Sequence, residues 1–543
     1  MTAFTQWSEV SPIADLLIRA ATRFPDRKAI ALPDAALTYA ELLDRAVDVA
    51  RGLVGLGVKP RSHVGLLCSN GPEMVAGFFG ILLANCVAVP LNARHKAHEL
   101  QFIIANADLC AILTAAADTS YLDFRDLLSS ALPSCGPDAD PHGLDLPEAP
   151  LLRHLVLLSG GVRAGFLGAD DLATAASLAS AAEIDDRRRL TRICDTAVVI
   201  YTSGTTANPK GCMLTHEAMT RGPVYRAEHR FRSAEHEVTW GGGPLFHIGS
   251  LAPFIGSIGC AGTYITDVFF DPGRALKLME REGVTAAWPW FPAILQPLFD
   301  HPDFDPAKLG RLRSVLLIGP ETLLERAMTL LPQTEFMQAC GMTETAGIFA
   351  LMDKDETHFN RANCQGRPVP GVEVRIVDPE TGADLPPDAV GEILVRGYCV
   401  MSGYYRDPVK TAEALDQDGW LHTGDLYKRC SEGRLTFNGR AKDMLKVGGE
   451  NVAAIEVEAF LCSHPAVRIA EVVGKPDLRL DEVPVAFVEL RPGMAVGADE
   501  LIDFCKGRIA NYKVPRAVYF MTAEDWPMSA TKVNKRELRQ RLE

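Results

Sequence analysis

Paired cysteines are the first thing this sequence lacks. Its 13 cysteines are scattered singly, with no C-x-x-C pair, which argues against a disulfide framework or a clustered metal site and fits reduced thiols. Basic excess is also missing. A net charge of −14 leaves no positive face for a nucleic-acid backbone, so no nucleic-acid partner is expected. The start, Met1-Thr-Ala-Phe-Thr-Gln6, has neither a basic cluster nor an apolar core, and the expectation is a cytoplasmic protein without a secretory leader. Internal repeats and low-complexity tails are absent too. One long run without charge does occur, Met74–Leu91, near the length of a membrane span. Gly77, Gly80, Asn85 and Pro90 interrupt it, and Val87-Ala-Val89 is a strand-like tripeptide. It reads as a buried helix running into a buried strand, so no integral membrane segment is expected.

What is present is a globular composition, 47% hydrophobic over 543 residues, too long for one core and therefore at least two domains. The short apolar runs Val64–Cys68, Ala111–Thr114, Leu155–Leu158 and Val315–Ile318 alternate with helical patterns. That alternation predicts layered α/β sheets with helices on both faces. Ser129–Glu148, rich in Pro, Gly and Asp, is expected to be a surface loop. From about Val372 to Phe437, short strands with Gly and Asp turns predict a small β subdomain.

The most informative stretch is Tyr201-Thr-Ser-Gly-Thr-Thr-Ala-Asn-Pro-Lys-Gly211, which follows the β-branched run Thr196–Tyr201. A strand opening into such a loop offers backbone N–H groups, three hydroxyls and the Lys210 cation to one point, as a polyphosphate requires. It is not a Walker A loop. From Gly204 the second glycine would fall at Pro209, and Lys210 is followed by Gly211 rather than Ser or Thr. Downstream, Gly341-Met-Thr-Glu-Thr345 supplies a carboxylate, Glu344, suited to the Mg²⁺ that accompanies triphosphates.

Together these segments resemble the adenylate-forming, AMP-binding superfamily of acyl-CoA synthetases, aryl-CoA ligases, peptide-synthetase adenylation domains and firefly luciferase. The resemblance extends through Phe24-Pro-Asp26, Leu37–Leu42, Gly80-Ile-Leu82 and Val89-Pro-Leu-Asn92 and covers almost the whole chain. It implies a large N-terminal α/β domain with a small β subdomain over 1–440, hinged to a small α+β domain over 441–543. Thr202, Ser203, Gly204, Thr205, Thr206 and Lys210 would hold phosphates, Glu344 the metal, and Thr343 would join it in catalysis. Gly319, Cys340, Gly341 and Met342 would surround the base. Two departures stand here. Cys340 occupies the place of a Tyr or Phe that stacks on adenine, and Ile318-Gly-Pro-Glu-Thr322 replaces a Gly-Gly-Ala-Pro-like turn. Ala207 also replaces a glycine of the phosphate loop.

The same resemblance assigns the ribose to Asp425 of Trp420-Leu-His-Thr-Gly-Asp425, with Arg440 beside the nucleotide. It makes Lys442 the hinge and Gly448 and Gly449 part of the loop beyond it. Lys532, in Trp526-Pro-Met-Ser-Ala-Thr-Lys-Val-Asn-Lys535, becomes the cation of the adenylation step, although the usual preceding glycine is Thr531 here and Lys535 competes for the role. The implied reaction consumes ATP and coenzyme A. His247 of Pro244-Leu-Phe-His247 and Trp288 of Trp288–Pro292 are candidates for the acyl and thiol site. The small residues of Gly249–Gly262 either make room for a bulky acid or pack a helix, and no Arg or Lys is evident for a second carboxylate. The partner is thus a small-molecule carboxylic acid, and a homodimer stays open. Loading of a carrier protein in trans, or non-catalytic sensing, are the alternatives to a CoA ligase.

Overall fold

Thr38 shows how local chemistry sets the elements. Its hydroxyl accepts from the Glu41 backbone N–H while the Glu41 carboxylate accepts from the Thr38 N–H at 2.8 Å, a reciprocal cap that starts the helix Tyr39–Gly55. The next helix, Pro72–Leu83, begins with proline at its first turn, where a missing N–H costs nothing. Met74 through Leu83 are all buried, and the chain then enters the strand Val87–Pro90. The uncharged run is therefore a core helix followed by a core strand. Among the described residues no helix is long and apolar enough to cross a membrane. The computed structural model describes residues 10–542 apart from 116–122, 137, 162, 203–208, 232–235, 448–449, 478–479, 510 and 530–531.

Two seven-stranded sheets form the large α/β layers. One carries, in order, Glu335–Met337, Ser314–Leu317, Ala286–Trp290, Val238–Gly241, Thr263–Ile265, Lys28–Ala31 and Ala36–Thr38. All but the last pair run parallel. The other carries Gly403–Tyr404, Lys210–Thr215, Thr196–Thr202, Val87–Pro90, His63–Leu67, Leu109–Thr114 and His154–Leu157. Its parallel part is extended by an antiparallel hairpin, Thr196–Thr202 with Lys210–Thr215, and by the short edge strand Gly403–Tyr404. The run of strands expected between Val372 and Phe437 is a four-stranded antiparallel sheet, Val372–Val377, Val390–Gly397, Leu421–Arg429 and Leu435–Arg440.

After Arg440 a short 3₁₀ turn, Ala441–Asp443, leads to a separate five-stranded sheet that begins at Met444. The expectation of a loose surface loop over 129–148 needs correction. The helix Phe124–Ala131 takes its first residues, and Leu132, Leu144 and Leu146 are buried. The apolar side chains anchor a segment whose Pro, Gly and Asp content predicted exposure.

Helix packing is close enough that glycines are required. A Cβ on Gly80 would come within 2.6 Å of Val49 and 2.9 Å of the Ala46 carbonyl on the neighbouring helix. Gly80→Ala gains up to about 1 kcal/mol of helix propensity but overpacks the contact by about 1–3 kcal/mol. The net effect is a melting temperature lower by a few degrees in a thermal scan; an unchanged or higher value contradicts this packing.

Candidate functional site

Thr202 and Lys210 are paired across the hairpin that carries the phosphate-type loop. Ser203, Gly204, Thr205 and Thr206 lie outside the described residues. The strand Gly403–Tyr404 pairs with the same hairpin, Tyr404 opposite Cys212, and this brings the Tyr404 ring under Lys210, whose Nζ is 4.2 Å from the ring centroid. The Tyr404 hydroxyl donates to Glu344 Oε1 at 2.9 Å. Burial and the Glu344 carboxylate push the phenol well above its ordinary value, so it acts as a donor there. Glu344 is 9% exposed, and its backbone carbonyl accepts from the Met401 N–H at 2.8 Å. Cation, ring and carboxylate thus arrive from three separate segments.

The Gly341–Thr345 segment holds Glu344 by a tight return. It runs from the strand Ala339–Met342 into a 3₁₀ turn, Thr343–Thr345, and back as the strand Gly347–Leu351. A Cβ on Gly341 would lie 2.6 Å from the Gly347 carbonyl oxygen, so the close approach demands glycine. Thr345 Oγ1 bonds the Met342 and Gly347 carbonyls at 3.1 and 2.7 Å. Thr343 and Met342 are half-buried and Gly341 is exposed. Gly319 is half-buried between the strand Ser314–Leu317 and the helix Glu321–Leu330.

Cys340 is only 1% exposed. Burial pushes its thiol up to about 12, with the Tyr427 hydroxyl bonded to it. At this position the structure presents the neighbouring glycine to solvent, not the sulfur. Asp425 and Arg440 are partners across adjacent strands, and Arg440 Nε lies 2.9 Å from Asp425 Oδ1. The preceding Gly424 has φ +69° and donates its N–H to Glu392 at 2.9 Å.

In the C-terminal region Lys532 lies on the two-residue strand Lys532–Val533, opposite Ser529, and Lys442 lies in the 3₁₀ turn between the sheets. Their side chains are outside what is described, as are Gly448 and Gly449 altogether. Lys535, the competitor, is committed elsewhere. It is ion-paired with Glu458 and, at 3.4 Å, with Glu471. Burial and the neighbouring Glu458 push Glu471 up to about 7.

A cavity lies beyond the return strand and is lined by Ile348, Trp288 and Trp290. The other wall is the helix Ile248–Gly259, which follows His247 directly. This answers the question about its small residues on both sides. Gly256 and Gly259 approach Pro223 and Val224 of the helix His216–His229 within contact distance, while Ala252, Pro253 and Gly256 line the cavity. His247 is half-buried, its ring 5.7 Å from that of Phe246. Trp288 is buried, its ring 5.5 Å from Trp290. Contrary to expectation, a buried cation does stand here: Arg226 lines the same cavity. Sequence reasoning missed it and Tyr404. Arg226 could have been found from helical period, since it follows the apolar positions Met219 and Pro223 on one face.

Among the described residues no cluster of three or more His, Cys, Asp or Glu could hold a metal ion. A single carboxylate, Glu344, fits an ion completed by phosphate oxygens and water.

Residues 17–405 match the AMP-binding enzyme family and residues 456–532 the AMP-binding enzyme C-terminal domain. A putative acyl-CoA synthetase, YngI, of Bacillus subtilis (strain 168) is 33% identical over 98% of this chain and 97% of its own. A 3-[(3aS,4S,7aS)-7a-methyl-1,5-dioxo-octahydro-1H-inden-4-yl]propanoyl:CoA ligase of Rhodococcus jostii (strain RHA1) is 34% identical over 93% of this chain and 94% of its own. The crystal structure of the anthranilate CoA ligase AuaEII in complex with anthranoyl-AMP superposes with a TM-score of 0.83 at 26% identity, covering 100% of this chain and 99% of that one.

Tyr404→Phe keeps a ring under Lys210 and removes the donor to Glu344. A hydrogen bond to a charged group is worth about 1.5–3 kcal/mol, so ATP–pyrophosphate exchange is expected to fall roughly 10- to 100-fold. Exchange at the parent rate would separate Tyr404 from the site.

Proposed function

The chain belongs to the AMP-binding enzyme family, and on that premise we propose that it joins a carboxylic acid to coenzyme A through an acyl-adenylate. The observation that carries this reading is the convergence of Lys210, Tyr404 and Glu344. A polyphosphate needs a cation and a metal-binding carboxylate within reach of one another, and a single tyrosine ring spaces them here. In the first step a carboxylate oxygen of the acid attacks the α-phosphorus of ATP, and pyrophosphate leaves. In the second, the coenzyme A thiolate attacks the acyl carbonyl, the C–O bond to phosphate breaks, and AMP leaves.

Each residue then has a task. Thr202 through Thr206 and Lys210 cradle the phosphates. Glu344 would hold Mg²⁺, which offsets the charge of the triphosphate, with Thr343 alongside. Gly319, Gly341 and Met342 border the base, which rests on backbone there because the Cys340 sulfur is turned into the core. Asp425 receives the ribose hydroxyl donors, with Arg440 holding its carboxylate in place. Lys532 bridges the acid's carboxylate and the α-phosphate, offsetting the repulsion of two anions.

The division between domains falls at Lys442, supported by the change of sheet between Arg440 and Met444. Rotation there lets the small domain offer Lys532 to the first step and the Gly448–Gly449 loop to the second. Coenzyme A is favoured over a carrier protein as acceptor because the relatives are described as CoA ligases or an acyl-CoA synthetase. The rings of Trp288, Trp290 and Phe231 offer apolar contact to a ring-bearing acid whose far end reaches this small cavity, in keeping with the bicyclic and aromatic acids of two of those relatives.

A screen of ATP–pyrophosphate exchange and thioester formation across fatty, aromatic and polycyclic acids tests this. Exchange without thioester would point to a carrier acceptor, and neither with any acid would defeat the reading. Within it, Lys532→Ala should slow adenylation by about 10²–10³-fold while a synthetic acyl-adenylate is still converted to thioester. Equal loss of both steps would remove Lys532 from the first. Glu344→Gln preserves shape and removes charge, so it should raise the Mg²⁺ concentration needed for half-maximal exchange. An unaltered Mg²⁺ dependence would exclude Glu344 as a ligand.

A further inference from the structure

Two residues that line the cavity beside Trp288 each carry a buried polar atom without a partner among the described residues. Arg226 is 5% exposed; its Nη1 donates to the Ile348 carbonyl at 3.3 Å, and its Nε has no partner among the described residues. Among the described residues no carboxylate pairs with it, and burial depresses its affinity for the proton. Ser257, 2% exposed, lies on the facing helix, and its hydroxyl also lacks a partner among the described residues. Both residues line the same space. A buried guanidinium with no direct ion pair is costly, several kcal/mol by general experience, and each unmade donor adds to it. A fold that keeps both in one cavity leaves them for a ligand.

The shape and charge of the cavity narrow that ligand. Its free volume is about 20 Å³, room for one group of the size of a water or a carbonyl oxygen, not for a whole acid. Glu237, also buried and lining it, accepts from the Thr285 hydroxyl at 2.5 Å. A second full anion placed there would meet that carboxylate, whereas a neutral oxygen acceptor would not. The walls on the approach, Trp288 and Trp290, are apolar rings.

We propose that Arg226 and Ser257 donate hydrogen bonds to a neutral carbonyl oxygen on the end of the acid remote from its reacting carboxyl, and so select oxo-substituted acids. Both are specificity-determining residues for the acid, and the assignment rests on the ligase reading above. A structural water in the same place is the competing occupant.

The test compares 3-cyclohexylpropanoate, 3-(4-oxocyclohexyl)propanoate and 3-(4-carboxycyclohexyl)propanoate as substrates for thioester formation by the full-length protein, its Arg226→Met and Ser257→Ala variants, and calorimetric binding of the same acids. The parent protein is expected to favour the oxo acid over the unsubstituted one by about 10- to 100-fold in kcat/KM, carried mainly by KM. Ser257→Ala should lose part of that ratio and Arg226→Met nearly all, with the unsubstituted acid improved. Arg226→Met should also raise the melting temperature of the ligand-free protein, since it removes a buried charge that has no direct ion pair among the described residues.

Equal use of the oxo and unsubstituted acids, or a ratio unmoved in Arg226→Met, means a water alone occupies the site and overturns the proposal while thioester formation upholds the ligase. Preference for the diacid over the oxo acid overturns the neutral-oxygen assignment. If no acid yields thioester, the ligase reading falls by itself and the binding data decide. Tighter binding of the oxo acid that Arg226→Met abolishes sustains the pocket assignment, and equal binding of all three acids defeats it.

Discussion

The hydrogen bond from Tyr404 to Glu344 is the constraint around which the site is arranged. A carboxylate that is nine-tenths buried needs hydrogen-bond donors to offset the water it has lost. The Tyr404 hydroxyl is one such donor. Its position follows from sheet geometry, because a two-residue edge strand sets Tyr404 opposite Cys212. Side chains two apart on a strand share a face, so Lys210 stands diagonally across from the same tyrosine, within reach of a large ring. Edge pairing therefore specifies the Lys210–ring contact and the Glu344 hydrogen bond together. Beneath them Cys212 fills the core, its sulfur 3.3 Å from that of Met401, and Met401 in turn donates its backbone N–H to the Glu344 carbonyl.

A second constraint acts on the backbone of the same turn. The chain enters Thr343–Thr345 from one strand and leaves along its antiparallel neighbour, which requires Ala346 at φ 49° and Gly347 at φ 95°. Both are in the left-handed region, where the alanine is strained. The hydrogen bonds of Thr345 to the carbonyls on either side of the turn hold it there. Glu344 is therefore presented by a rigid return, and not by a mobile loop. The cross-strand register of Asp425 with Arg440 fixes the other pair by the same means.

Much of this was legible in the sequence, for identifiable reasons. Strands such as His63–Leu67 and Leu109–Thr114 are buried on both faces and so read as unbroken apolar runs. The glycine and proline interruptions in 74–91 correctly marked a core helix and strand. Chemistry concentrated in short contiguous motifs, as at Gly341–Thr345 and Trp420–Asp425, could be located without tertiary information. What escaped were residues whose role exists only through distant contacts. Tyr404 is sixty positions from Glu344, and nothing in Ser402-Gly-Tyr-Tyr405 distinguishes it from the next tyrosine. For Arg226 the helical period after Met219 and Pro223 gave its face, but the cavity it lines exists only through distant contacts. The burial of Cys340 could not be read either, because the sequence shows a missing ring without showing that Tyr427 covers the sulfur.

The two halves of the site differ in how they stand without ligand. On the proposed nucleotide side the groups already have partners: Lys210 on an aromatic face, Glu344 under a phenol, Asp425 beside a guanidinium. On the proposed reading, ATP would exchange one set of contacts for another, so such groups would favour positioning more than raw affinity. On the proposed acyl side, Arg226 Nε and the Ser257 hydroxyl have no partner among the described residues. An acid that satisfies them recovers a desolvation cost already present in the fold, and an acid that cannot leaves it in place. On the proposed reading, discrimination between acids would therefore be concentrated where the structure is least satisfied, while the shared nucleotide chemistry would fall to groups already held in pairs.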